Sequence, residues 1–315
     1  MDCRSLYIDT LLMDIMVGTT TCFLCRERPA IENSHILPKL IVRAICEDLG
    51  VRGLRELSAP RLRVERTTVV PLLCTECEAQ FQSYENDFAR SCLRPYFMDD
   101  RIVIEHDARL LAFAVSVLWR VLIHTLNQTV PPEWMPCLAR TARAWRAYLR
   151  GEALGLGEHK CYLFLDREFS EEQIKLSHYL NHVDLRFTIE QGATSVTNII
   201  GVPYRNVVYA KLGPFIFVGT VQDVFHGQID HLIASWREIS SNVHASHAVD
   251  DGVQLPDEIV AMIDKSASRW QFFENDLKPK RRAQLLTGFA ALAPNATLKR
   301  LLEKDEILFL GSNDS

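Results

Sequence analysis

Two Cys-x-x-Cys pairs constrain this chain more tightly than anything else in it: Cys22-Phe23-Leu24-Cys25 and Cys74-Thr75-Glu76-Cys77, with Ser34-His35-Ile36-Leu37-Pro38-Lys39 between them. Each spacing lets one tight turn present two sulfurs to one ion, and two such turns complete the four-thiolate set of a closed, structural Zn²⁺ site. Cys22, Cys25, Cys74 and Cys77 are therefore the candidate metal ligands. The segment between them must fold back so that the two knuckles meet. His35 stands in that segment and is the candidate for chemistry.

The other cysteines support a metal site over a disulfide framework. There are nine in all, an odd count with four in metal-type pairs, which fits a reducing compartment. Cys3, Cys46, Cys92, Cys137 and Cys161 are scattered and read as buried apolar residues. No uninterrupted apolar run approaches the roughly 18 residues of a membrane span. The first twenty residues carry Asp2, Asp9 and Asp14 inside an apolar stretch, which a secretory leader tolerates poorly. The expectation is a soluble, cytoplasmic protein with no membrane partner.

A net charge of −5 excludes a uniformly basic coat for nucleic acid, so local distribution decides. Arg52, Arg55, Arg61, Arg63 and Arg66 face only Glu56 and Glu65 in one stretch, and Lys278-Pro279-Lys280-Arg281-Arg282 forms a second run. Either suits a phosphate backbone, and either suits a solvated surface.

Along the chain, residues 1–20 read as an N-terminal extension and 21–97 as one unit bounded by the knuckles. Polar residues 26–33, with Pro29, suit the turn of a small hairpin carrying Ile36 and Leu37. Leu40, Ile41, Ala44, Ile45 and Leu49 have helical spacing, with Gly50 as a stop. Residues 61–70 (RLRVERTTVV) alternate and predict one strand leading into the second knuckle. From Glu76 to about Ser91 the stripe Phe81, Tyr84, Phe88 predicts a helix, with Glu78, Gln82 and Glu85 on an adjacent face.

Residues 98–157 read as a helical region. Its segment 109–127 is apolar nearly all round and suits a buried central helix, although such a helix serves a homo-oligomer interface as readily as a core. A further helix from Trp134 to Leu149 puts Arg140, Arg143, Arg146 and Arg150 on its polar side. Residues 158–315 read as an α+β domain: strands at 161–165, 183–190, 195–202, 206–211 and 215–220, turns at Gly192, 201–203 and 213–214, then helices at 256–267 and 280–302. The fold class expected for the whole is α+β, an N-terminal zinc-stapled unit followed by helices, an antiparallel sheet and C-terminal helices. His178 and His182, at i and i+4, read as a surface helix. Asp166, Glu168, Glu171 and Glu172 flank a strand end.

The order knuckle, His35-Ile36-Leu37-Pro38, basic stretch, strand, Leu73-Cys74-Thr75-Glu76-Cys77, helix resembles the HNH-type, or ββα-metal, endonucleases over residues 21–90. Ser34–Lys39, Leu73–Glu78 and Tyr84-Glu85 also resemble motifs of a set of bacterial proteins with no established activity. The HNH resemblance implies a ββα unit, a phosphodiester substrate expected to be DNA, and His35 as general base drawing a proton from water. It also implies a catalytic Mg²⁺ or Mn²⁺ in addition to the structural zinc. Three positions depart from the pattern. Ser34 replaces an acid or histidine, Glu78 replaces a histidine or asparagine, and the usual asparagine before the second knuckle is missing from Thr67-Thr68-Val69-Val70. A carboxylate is a sound Mg²⁺ ligand, which makes Glu78 and Glu85 the candidate catalytic-metal ligands.

On this reading Arg61, Arg63, Arg66 and Lys39 would contact phosphates, and a toxin or phage-defence role is compatible with it. The alternative is a non-catalytic zinc-binding module that mediates nucleic-acid or protein contacts.

Overall fold

The computed structural model of the chain describes residues 21–48, 53–56, 59–64, 67–98, 103–128, 130–165, 188–196, 205–221, 238–239, 245–248 and 259–264. The N-terminal extension, Arg66, the 278–282 basic run, the residues His178, His182, Asp166, Glu168, Glu171 and Glu172, and the 280–302 helix lie outside the described residues.

Helices and sheets are mixed, as the α+β class requires. The knuckle region opens with strand β1 (Ser34–His35), followed by helix α1 (Lys39–Asp48), where the apolar spacing placed it. Strands β2 (Leu54–Glu56) and β3 (Ala59–Val64) form an antiparallel hairpin, and β4 (Val69–Val70) returns to pair antiparallel with β1. The single strand expected over 61–70 is thus two short strands in two different sheets. Alternation marks a pleated segment and says nothing about its partner, so one pattern covered both.

Helix α2 (Thr75–Phe88) starts directly on the second knuckle, with Cys74 in extended conformation at its N-cap. It continues through a π-helical turn at Ala89–Leu93 into α3 (Arg94–Met98), beyond the expected stop near Ser91. Pro95 has no N–H to return to the preceding turn, and the wider π turn just before it keeps the chain helical past that gap. Strand β5 (Val103–His106) pairs antiparallel with β10 (Ala245–Ala248).

The central helix α4 (Ala108–Leu126) begins where Asp107 accepts hydrogen bonds from the backbone N–H groups of Arg109 (3.0 Å) and Leu110 (2.9 Å). It is long and apolar enough to cross a membrane by length and composition, but most of its side chains are buried inside the protein. Helix α5 (Met135–Leu149) packs beside it, and the Trp119 indole N–H donates to the Ala142 carbonyl at 3.1 Å.

The main sheet has six strands in the order β3-β2-β7-β8-β9-β6, adding β6 (Cys161–Leu165), β7 (Thr188–Val196), β8 (Arg205–Leu212) and β9 (Phe215–Val221). All pairings are antiparallel except β2 with β7, so the sheet is mixed rather than wholly antiparallel. A parallel junction needs a long crossover, and here the two strands are separated by the whole helical region. Gly192, expected in a turn, lies inside β7 opposite Tyr209, whereas Gly213 has positive φ (58°) in the β8–β9 turn.

Aromatic side chains seal α2 and α4 onto the sheet. Phe88 stacks on Phe113 at 4.1 Å and meets Phe215 edge-on at 5.0 Å. At Gly219 on β9, an added Cβ would sit 2.5 Å from the Trp145 ring of α5. A ring packed between helix and sheet has nowhere to retreat, so Gly219→Ala is expected to cost roughly 1–3 kcal/mol. A denaturant titration with unchanged slope would report it; a wild-type midpoint would show that the α5–sheet interface is looser than this geometry.

Candidate metal centre and the cluster around His35

Both knuckles are built by backbone bonds that aim sulfur inward. In the first, Arg26 N donates to the Cys22 carbonyl (2.9 Å) and Cys22 N to the Arg28 carbonyl (2.7 Å), with Arg26 at φ 61° closing the turn. In the second, Cys74 precedes α2 and its carbonyl accepts from Glu78 N at 2.9 Å. The two are stitched together by Phe23 N to Leu72 O (2.9 Å) and Ile31 N to Leu73 O (2.8 Å). Ser34, fully buried, accepts the Leu73 N–H on its hydroxyl at 2.9 Å, so the residue before His35 braces the second knuckle.

The result is four buried sulfurs, Cys22, Cys25, Cys74 and Cys77, all within 4.8 Å of one another. Cys25 Sγ and Cys74 Sγ, one from each knuckle, are 3.8 Å apart. A tetrahedral Zn²⁺ with Zn–S bonds of about 2.3 Å has sulfur–sulfur edges of about 3.8 Å, so the donor set fits zinc in number, chemistry and spacing. That separation is far from the roughly 2 Å of a disulfide.

Burial pushes the Cys22 and Cys77 thiols up. Burial also pushes Cys25 up, but hydrogen bonds from the backbone amides of Glu27 and Arg28 and from Cys22 and Cys74 together outweigh it and bring that thiol down to about 7. Cation binding to such thiols must release protons.

Arginines surround this site. Arg28 lies 3.5 Å from Glu76, and its pKa is raised by Glu76 and then by Cys74. Arg146 of α5 donates through Nε to the Leu24 carbonyl inside the first knuckle at 2.7 Å. Arg150 pairs with Glu27 at 3.5 Å. Two of the arginines assigned to the polar side of α5 thus hold a knuckle, a role that their helical periodicity could not reveal.

Next to the cysteines, the strand pair β1–β4 followed by α2 brings several of the candidate residues together. The register pairs Ser34 with Val70 and His35 with Val69. His35 Nδ1 lies 2.7 Å from Thr67 Oγ1, and Thr67 is itself buried. Burial lowers the His35 pKa below 6.5, the positive charge of Lys39 lowers it further, Glu78 opposes, and Arg120 adds to the lowering. His35, Lys39, Glu78 and Arg120 thus share one electrostatic neighbourhood.

Glu78 has Oε1 buried with no hydrogen-bond partner among the described residues. Glu85 is also buried, but its Oε1 is 3.0 Å from Arg120 Nη1, so this carboxylate is engaged by a cation of the protein itself. Lys39 is exposed at the start of α1. Arg61 and Arg63 lie on β3, the edge strand of the six-stranded sheet, and not on the strand pair that carries His35.

Reading along the chain did not foresee Ser34, Thr67 or Arg120 in these roles. For Thr67 a signal existed, because it stands in the stretch where the resembled pattern has an asparagine. No protein-family model, curated protein or solved structure matches this chain.

Proposed function

We propose that the chain is a zinc-stapled, metal-dependent phosphodiester hydrolase of the HNH type that acts on DNA, with His35 as general base. One observation carries this reading: the His35 imidazole, oriented by Thr67, shares a neighbourhood with a Glu78 carboxylate whose Oε1 is sheltered and has no partner among the described residues. A buried carboxylate oxygen without a donor is costly unless something positive occupies the space beside it.

In the tautomer that donates Nδ1–H to Thr67, His35 Nε2 holds a free lone pair and can take a proton from water. The hydroxide formed attacks phosphorus, the opposite P–O bond breaks, and the departing oxygen is protonated from solvent. A divalent cation at Glu78, Mg²⁺ or Mn²⁺, would supply the positive charge that offsets the negative charge building on the phosphoryl oxygens. Lys39, whose charge acts on His35, would meet a phosphate beside it, and Arg61 and Arg63, on the edge strand β3, would add phosphate contacts, giving affinity that falls with salt.

The lowered pKa of His35 keeps the ring neutral near neutral pH, the form a base needs. The acid limb of kcat/KM is therefore expected to inflect below pH 6.5, and a bound cation pushes it the same way. An inflection above that value would remove His35 as the base.

Glu78 is tested separately by titrating Mn²⁺ into zinc-loaded protein and following the free-ion electron paramagnetic resonance signal. Wild type is expected to take up Mn²⁺ and Glu78→Gln to lose that uptake; equal uptake would place the cation elsewhere.

A second reading, a zinc module that contacts nucleic acid or protein without cutting, is favoured by one feature. The hydroxyl of Ser34 is committed to Leu73 N–H, so the residue before His35 is not free to hold a metal.

A further inference from the structure

Helix α4 is apolar on almost every side, yet Arg120 sits in its middle at 1 % exposure. A buried guanidinium is retained only where it is paired and hydrogen-bonded, so its partners indicate what it does. Nε donates to the Ser116 carbonyl of its own helix at 3.2 Å. Nη1 lies 3.0 Å from Glu85 Oε1 on α2 and donates to the His35 backbone carbonyl on β1 at 3.1 Å. The guanidinium carbon stands 5.2 Å from the centre of the Phe81 ring, also on α2. One side chain therefore joins three elements at the peptide of the residue assigned as base.

That peptide is held at two atoms among the described residues. Strand β1 is two residues long and pairs there with β4, the N–H of the same peptide (Ile36) donates to Thr68 O at 3.0 Å, and its carbonyl is held by Arg120. The Thr67 hydroxyl orients the imidazole but does not fix where the backbone holds it. Arg120 does so from a helix outside the knuckle unit, and the same guanidinium occupies Glu85. Of the two carboxylates on that face of α2, Glu78 has a buried oxygen with no partner among the described residues, whereas Glu85 Oε1 meets Arg120. Arg120 Nη2 is likewise buried without a partner among the described residues.

We propose that Arg120 is a positioning residue: its buried guanidinium, reaching from α4, fixes the His35 peptide and draws Glu85 away from the reacting centre, so that His35 and Glu78 alone face the substrate. This rests on the reading of His35 as the base.

The test uses full-length, zinc-loaded wild type, Arg120→Lys, Glu85→Gln, Arg120→Met and the double variant Arg120→Met/Glu85→Gln. Arg120→Met alone strands a buried carboxylate, so the double variant, which removes both charges at similar volume, carries the comparison. Its melting temperature and zinc content are expected to stay close to wild type. Its kcat for plasmid cleavage should fall roughly 10- to 100-fold, as expected for a base displaced by a fraction of an ångström. Its KM should change by less than about twofold, because substrate contacts are untouched.

The His35 imidazole nitrogen resonances, read by ¹⁵N–¹H correlation, should shift as its geometry to Thr67 relaxes. A merely structural charge pair would leave those resonances and kcat at wild-type values once both charges are gone, and that result overturns the proposal. If the double variant does not fold, Arg120→Lys decides by the same readouts, since it keeps a cation for Glu85 while losing the Nε anchor at Ser116 that aims Nη1 at the His35 carbonyl. If wild type cuts nothing, the hydrolase reading fails by itself, and the positioning role stands or falls on the His35 resonances.

Discussion

Cys25→Ser and Cys77→Ser are each expected to yield protein that aggregates or is rapidly digested by protease, with zinc well below one ion per chain. The expectation follows from what the four sulfurs join. The first knuckle lies against α5 through Arg146, and the second starts α2, which packs on α4 and places Phe88 against the sheet. All four cysteines belong to the same continuous core as these aromatic residues.

A structural Zn²⁺ contributes on the order of 10–16 kcal/mol to folding in small zinc peptides, against a total stability of about 5–15 kcal/mol for a typical domain. Losing one of four thiolates removes much of that contribution and leaves a hydroxyl buried among sulfurs. Soluble, protease-resistant single variants that contain no zinc would show that the cysteines are ordinary core residues.

His35→Ala is expected to behave in the opposite way, with little change in fold and a large loss of activity. The contact that fixes this position, Arg120 to the His35 carbonyl, is made by the backbone and survives the substitution. What is lost is the Nδ1 contact to Thr67, which leaves one buried hydroxyl short of a partner at a cost of about 1–3 kcal/mol. Zinc content is expected to be unchanged. Cleavage should fall by roughly 10²- to 10⁴-fold, the usual contribution of a positioned general base. Thermal unfolding and metal analysis of the same preparation separate this result from simple misfolding.

The parts of this architecture that were legible in the sequence are those whose signal is local. Cys-x-x-Cys spacing announces a turn with two converging sulfurs, and the four sulfurs do converge. The apolar character of residues 109–127 nearly all round announces a buried helix, and α4 is one. What escaped depends on partners far away in the chain. Arg120 and His35 are 85 residues apart, and no periodicity in α4 says which carbonyl its guanidinium will meet. Arg146 was readable as an exposed helix residue because its partner, the Leu24 carbonyl, is 122 residues upstream.

Strand pairing failed for the same reason. The alternating stretch after Arg61 holds two short strands, one joining β2 at the edge of the main sheet and the other joining β1. The carboxylates show how far residue type alone can go. Glu78 and Glu85 are alike in residue type and share one helix face, Glu78 being set apart in the sequence by its place after the knuckle, and the cation reaching in from α4 separates them in space.

The most direct test of the proposed chemistry is nicking of supercoiled plasmid by zinc-loaded wild type and folded His35→Ala, each with and without added Mg²⁺. Nicking that requires both Mg²⁺ and His35 is the expected result. No nicking by zinc-loaded wild type, or equal nicking by both proteins, would contradict a hydrolase built on this histidine.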